Sequence, residues 1–233
     1  MSARYDAVAD FYEAGFPDAY DDDVSIALFD LIGPVAGLTV LDIACGHGRM
    51  SRELARRGAR VVGLDISRAL LGKAQALEES DPLEIEYRHG DAASPRALDN
   101  RVFDVVVCSM GLTDIDDVDG AISTIAHALE QGGIFVFSLL HPCFSGGDNT
   151  SGSWPTTKSY YDEEWWSADG GSSSLRRRVG ANHRMLSTYL NTLIRGGFTL
   201  DELREPHPPQ DWTQKHPDAA TRPVFIVARL IRT

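Results

Sequence analysis

The sequence predicts an α/β fold built on a mostly parallel sheet, and three observations predict it. Aliphatic runs alternate with helix-like stretches from Thr39 to Leu140, the order of repeated βαβ units. The run Val40-Leu41-Asp42-Ile43-Ala44-Cys45-Gly46-His47-Gly48-Arg49 passes from a buried-strand pattern through a small-residue turn into a helix. Two further strand-like runs end in an acid, at Asp65 and Asp91.

Taken in order, Tyr5 to Leu31 is expected to form one or two helices, with Tyr5, Phe11 and Tyr12 as aromatic cover. Thr39 to Ile43 is the first strand. Gly46 and Gly48 permit backbone conformations and close approaches that a side chain would block, and Arg49 to Arg57 places Met50 and Leu54 four apart, as a helix does. Arg60 to Asp65 is the second strand, followed by Ser67 as an N-cap. Glu84 to Asp91 reads as the third strand and Val102 to Cys108 as the fourth. Val118 to Gln131 is a helix with Ile122, Ile125, Ala126 and Leu129 on one side, stopped by Gly132-Gly133, and Ile134 to Leu140 is the fifth strand. Met185 to Arg195 is helix-like, and Phe198 to Glu205 and Val224 to Ile231 are the last two strands. Between them and the fifth strand lies Pro142 to Asn182, Gly- and Ser-rich at its ends, aromatic and acidic from Trp154 to Trp166. So long an insertion is expected to serve as a lid or binding loop.

A chain of 233 residues fits one domain with elaborations: residues 1–32 as helical cover and 142–182 as insertion. The net charge of −12 (22 basic, 34 acidic) gives no general attraction to phosphate backbones, so a nucleic-acid substrate is disfavoured. Arg176-Arg177-Arg178 is the one basic cluster and reads as a solvated surface or lid element. No run approaches the roughly 20 apolar residues of a membrane span, and Met1 to Tyr20 lacks the pattern of a secretion signal. Cys45, Cys108 and Cys143 form neither a disulfide framework nor a metal site. The expected location is the cytoplasm; monomer and homodimer are both left open.

The strand ends carry the chemistry. Gly-x-Gly after a strand is weak evidence by itself, because nicotinamide enzymes use a related loop. Asp42, before the turn, would repel a pyrophosphate but suits an ammonium or bound water. Asp65, roughly 20 residues past the loop, is placed to accept both hydroxyls of a ribose, and Asp91 to accept from an adenine amine. S-adenosylmethionine has these three features and no phosphate.

On Val40 to Ser51, Val62 to Ser67, Gly90-Asp91-Ala92, Phe103 to Gly111 and Leu129 to His141, the chain resembles the class I S-adenosylmethionine-dependent methyltransferases. The resemblance implies a Rossmann-like seven-stranded sheet, mostly parallel with an antiparallel last strand, and helices on both faces. It implies S-adenosyl-L-methionine as cofactor and S-adenosyl-L-homocysteine as product. The cofactor would lie against Tyr12, Asp42, Ala44, Cys45, Gly46, Gly48, Asp65, Ile66, Asp91, Ala92, Ser109 and Met110. Ala44 departs from the family, many of whose members carry Gly there.

Methyl transfer from a sulfonium is an in-line displacement, so the protein mainly aligns the acceptor and excludes water. A base is needed only where the acceptor must lose a proton. His141, at the end of the fifth strand, is the first candidate, by its ordinary pKa near ~6.5; a histidine bonded to the lid backbone is the alternative. Asp114 is the second candidate, with helix capping as its alternative. The acceptor is expected to be a small metabolite, aromatic or heteroaromatic, methylated on oxygen or nitrogen. It would meet Tyr5, Gly111, Phe144, Trp165, Trp166 and His183. Trp165 and Trp166 are adjacent, so in an extended segment one faces the core and the other the pocket. The alternatives are a chain that binds the cofactor without transferring methyl, and methylation of a protein or transfer RNA.

Overall fold

The structure is a computed structural model that describes residues 3–15, 20–146, 152–155, 157–167, 175–215 and 217–233. Seven strands form the central sheet: β1 (Thr39–Ile43), β2 (Arg60–Asp65), β3 (Glu86–His89), β4 (Phe103–Ser109), β5 (Leu129–Leu140), β6 (Phe198–Arg204) and β7 (Phe225–Arg232). Their order across the sheet is β6-β7-β5-β4-β1-β2-β3. The pairs β1–β2, β2–β3, β1–β4 and β4–β5 are parallel, while β7 runs antiparallel to both β5 and β6. The expected mostly parallel sheet with an antiparallel last strand is what the chain forms.

Alternation along the strands sends side chains to two faces. Leu41 and Ile43 of β1 join Val106, Phe135 and Phe137 beneath α5 (Val118–Ala128) and α7 (Leu186–Arg195), whose Ile122, Ile125 and Leu193 complete that layer. Val40, Val61, Val105, Val107 and Val136 face the other way, against Leu28 and Leu31 of α2 (Asp23–Ile32) and Met50 and Leu54 of α3 (Arg49–Arg56). Asp22 caps α2 by accepting from the Val24 and Ser25 amides, and Ser67 caps α4 (Arg68–Ser80) by accepting from Leu70.

Two boundaries differ from expectation. The third strand is shorter than Glu84 to Asp91, because Glu84 takes a left-handed φ of 62° and Asp91 closes a turn onto Ser94. The helix before β5 ends at Ala128 rather than Gln131: Leu129 is buried and pairs with Phe103. Gly132 at φ 82° lets the strand shift register there instead of stopping a helix.

The N-terminal cover comprises a 3₁₀ turn (Asp6–Val8) and α1 (Ala9–Gly15), tied to α4 from above. Asp6 accepts from Ser67 Oγ (2.7 Å) and the Ala69 amide, and Lys73 bonds Asp10 and Glu13. Within the insertion, Trp165–Trp166 pair antiparallel with Ala181–Asn182, and Leu175–Val179 forms the short helix α6. Residues 147–151, 156 and 168–174 of that expected lid lie outside the described residues. Among the described residues, no helix is long and apolar enough to cross a membrane.

Candidate functional site

A cleft of about 450 Å³ opens where β1, β2, β3 and β4 end. A parallel sheet puts its ligand site at the carboxyl ends of its strands. Of the expected residues, Tyr5, Tyr12, Ala44, Gly46, Asp65, Ile66, Asp91, Ala92, Ser109, Met110, Gly111 and Asp114 line it.

Asp65 organises the near wall. Its Oδ2 accepts from the Gly46 amide and its Oδ1 from the Ser67 amide, both at 2.7 Å. A carboxylate offers about four lone-pair sites, so acceptor capacity remains for a ligand. Burial raises the carboxyl above its ordinary pKa, against the opposing pull of those backbone bonds. Asp91 accepts from the Ala93 amide at 2.9 Å and stands at the exposed end. The far wall turns on two left-handed residues, Ala44 and Met110, each at φ 59°. The Ala44 methyl fits because position 111 has none: a Cβ on Gly111 would lie 2.7 Å from that of Ala44.

The N-terminal segment lies over the cleft. Tyr12 stands 3.5 Å from where a Gly46 Cβ would be and meets the His47 ring edge-on at 5.5 Å. Tyr5 meets Tyr12 edge-on at 5.2 Å, and its hydroxyl donates to Asp114 Oδ2 at 3.0 Å. Burial raises both phenols well above their ordinary range, so they stay protonated.

Several expected site residues lie elsewhere. Asp42 is fully buried behind the loop, where Ser51 Oγ donates to it at 2.6 Å; burial pushes its carboxyl up to about 7. Asp42 therefore secures the start of α3 rather than facing the cleft. Cys45 is buried on the Gly63 side, and Gly48 serves as a left-handed N-cap of α3. A Cβ on Gly48 would strike the Tyr87 hydroxyl at 2.3 Å, so glycine is required there for packing.

His141 is the main correction. It is buried outside the cleft, with Nε2 2.9 Å from Glu205 Oε1 and Nδ1 accepting from the Cys143 amide. Its own amide bonds the Val224 carbonyl, so it ties together the ends of β5, β6 and β7. Burial lowers its pKa, outweighing the nearby carboxylate. His183 is likewise buried outside the cleft, donating from Nε2 to the Tyr160 carbonyl beside Trp154. Phe144 is buried in a cluster with Leu140 and Val224, against which Met110 packs, and is not on the cleft wall. Trp166 is buried and donates Nε1 to the Ser153 carbonyl. Trp165 faces the opposite way, next to Arg4 at the rim rather than on the cleft wall.

Asp114 does line the cleft and does not cap α5, a role that Asp117 fills. Its partner Arg176, expected in a solvated basic cluster, is buried and bonds Asp114 Oδ1 at 2.5 Å. Arg4 and Leu70 also line the cleft unanticipated. No local pattern marks Arg4; its pairing with Asp116, 112 residues later, places it at the cleft.

The donor set discriminates among ligands. Asp65, Asp91, Asp114, Asp116 and Asp117 line the cleft, and among the described residues Arg4 is the one lining cation, a poor setting for a pyrophosphate. A nucleoside with hydroxyls, an exocyclic amine and a positive centre fits it. Residues 41–137 match the family described as methyltransferase domain. The class I resemblance therefore stands, and the site lies within and beside the matched span.

Over 110 residues the chain is 34% identical to a ubiquinone biosynthesis O-methyltransferase of Azoarcus sp. (strain BH72), covering 47% of each. Over 108 residues it is 38% identical to that of Methylobacterium sp. (strain 4-46), covering 46% of this chain and 43% of the other. The chain thus spans less than half the length of these curated relatives. The solved S-adenosylmethionine dependent methyltransferase from Mesorhizobium loti superposes with a TM-score of 0.71 at 28% identity, over 91% of this chain and 99% of that one.

Proposed function

We propose that this chain is an S-adenosylmethionine-dependent methyltransferase acting on an oxygen or nitrogen of a small aromatic or heteroaromatic metabolite. One observation carries the reading: Gly46, Asp65, Asp91 and Met110, from four strand ends, converge on a single cleft of about 450 Å³. The names of the curated relatives and of the Mesorhizobium loti structure support the same activity.

In this reading Asp65 takes the ribose diol through the lone pairs its backbone bonds leave free, and Asp91 with Ala92 takes the adenine. Gly46 and Ala44 let the backbone approach the methionine end. The bound sulfonium supplies a methyl carbon already activated for displacement. Tyr5 and Tyr12 then exclude water from above, and the Ser109-Met110-Gly111 turn shapes the side from which the acceptor comes. Asp114, with Oδ2 toward Tyr5, is the carboxylate placed to receive a proton when the acceptor is a hydroxyl. His141 has no step in this scheme. Residues 1–32 act as cover and 142–182 as lid on a single domain in the cytoplasm.

Calorimetry with S-adenosylmethionine and S-adenosylhomocysteine, followed by labelled-methyl transfer to a panel of phenols, catechols and heteroaromatic amines, tests the proposal. Binding of both nucleosides and formation of S-adenosylhomocysteine with at least one acceptor is expected. A well-folded chain indifferent to both nucleosides would end it.

A further inference from the structure

Arg176 differs from its neighbours Arg177 and Arg178, which are exposed, whereas only 5% of Arg176 reaches solvent. Its guanidinium is spent on three partners. Nη1 donates to Asp114 Oδ1 at 2.5 Å and to the Gly180 carbonyl at 2.9 Å, and Nη2 to Thr113 Oγ1 at 3.3 Å. This geometry fixes the Asp114 carboxylate and leaves its Oδ2 facing Tyr5, whose hydroxyl donates to it at 3.0 Å. From Tyr5 the contacts continue to Tyr12 and so to the Gly46 turn. A second contact joins the same two elements: Arg178 Cζ lies 4.2 Å from the Phe11 ring centroid on α1.

The N-terminal segment is thus held on two sides by different means. On the α4 side, Asp6, Asp10 and Glu13 grip Ser67, Ala69 and Lys73. On the β4 side, the anchors are Arg4 on Asp116 and Tyr5 on Asp114; buried Arg176 bonds the carboxylate of Asp114, whereas buried Arg184 donates to the backbone carbonyl of Asp116. A carboxylate with one oxygen fixed by a buried guanidinium is a pre-oriented acceptor for a single hydroxyl. Remove the guanidinium, and Asp114 is free to turn toward solvent and release Tyr5.

We propose that Arg176 is a positioning residue: acting through Asp114 and Tyr5, it latches the N-terminal segment over the cleft, so that docking of α6 and retention of the nucleoside are coupled. The retention half rests on the cofactor reading above; the latch half does not.

The test uses the full chain with Arg176→Gln, Arg176→Lys, Tyr5→Phe and the double variant Arg176→Gln/Tyr5→Phe. Two quantities are read: chymotryptic cleavage at Phe11 and Tyr12 in the ligand-free protein, and the dissociation rate of S-adenosylhomocysteine. Arg176→Gln is expected to raise both roughly tenfold, the scale of one lost charge-assisted hydrogen bond. Arg176→Lys should recover part of the loss. Tyr5→Phe should match Arg176→Gln, and the double variant should add nothing to either, because both break one chain of contacts. A folded Arg176→Gln variant with wild-type cleavage and release overturns the proposal, as do single effects that multiply in the double variant. Should Arg176→Gln fail to fold, the same cycle built on Arg176→Lys decides. If the wild-type chain binds no S-adenosylhomocysteine, the cofactor reading falls, and the cleavage pattern alone decides the latch.

Discussion

Ala44 occupies a left-handed position beside the cleft, and its methyl fills the space a side chain on Gly111 would need. Changing Gly111 to Ala would put a carbon 2.7 Å from Ala44 Cβ and 2.9 Å from Cys108 Sγ, well inside the ~3.5–4.0 Å of ordinary contact. Overpacking of this kind costs about 1–3 kcal/mol. Changing Ala44 to Gly relieves about 1–2 kcal/mol of left-handed strain. Against that stands about 0.4–1 kcal/mol from the freer unfolded chain, so a small net gain is expected. In the double variant one of the two clashes disappears while the Cys108 contact remains. About half of the Gly111→Ala loss should return, a coupling on the order of 1 kcal/mol. Urea unfolding of the four proteins measures it. A double variant equal to the sum of the singles within about 0.3–0.5 kcal/mol would show that the two positions do not share this space.

Two further outcomes are expected. Asp65→Asn keeps the size of the side chain but loses its charge and one acceptor, so affinity for S-adenosylmethionine should drop by about 2 kcal/mol, roughly 30-fold; unchanged calorimetric affinity would contradict the ribose assignment. Stability should vary with pH in two opposed ways. His141 has a depressed pKa when folded, so its contribution is complete above the unfolded value near ~6.5 and is lost as pH falls below it. Asp42 is raised to about 7, so its contribution is complete below the ordinary 3.8 and is lost as pH rises through about 7. Thermal melts between pH ~4 and ~7 should therefore show stability rising less steeply with pH in His141→Phe and more steeply in Asp42→Asn than in the parent chain; S-adenosylmethionine affinity unchanged in His141→Phe would confirm its place outside the cleft.

The sheet was legible because buried parallel strands leave a local mark: Val105, Val106 and Val107 announce β4 without help from the rest of the chain. The strand-end residues of the cleft were legible for the same reason, since Gly46, Asp65 and Asp91 each sit where a strand pattern stops. What failed was direction. Asp42 sits one strand residue before the loop and points behind it to Ser51, a choice set by the pleat and by α3. His141 looked like a base beside a strand end, but its ring is claimed by Glu205, 64 residues later. Arg176 looked solvated within a basic run, and its partner lies 62 residues earlier. Pairings across such separations leave no trace in local pattern.

β7, the last of the seven strands to leave the ribosome, lies between β5 and β6 rather than at a rim. Until it arrives, β5 offers an unsatisfied row of backbone groups and β6 has no neighbour at all. Sheet completion must therefore await synthesis of β7, and a nascent chain arrested before Phe225 would present the open edge of β5 to whatever else is unfolded nearby.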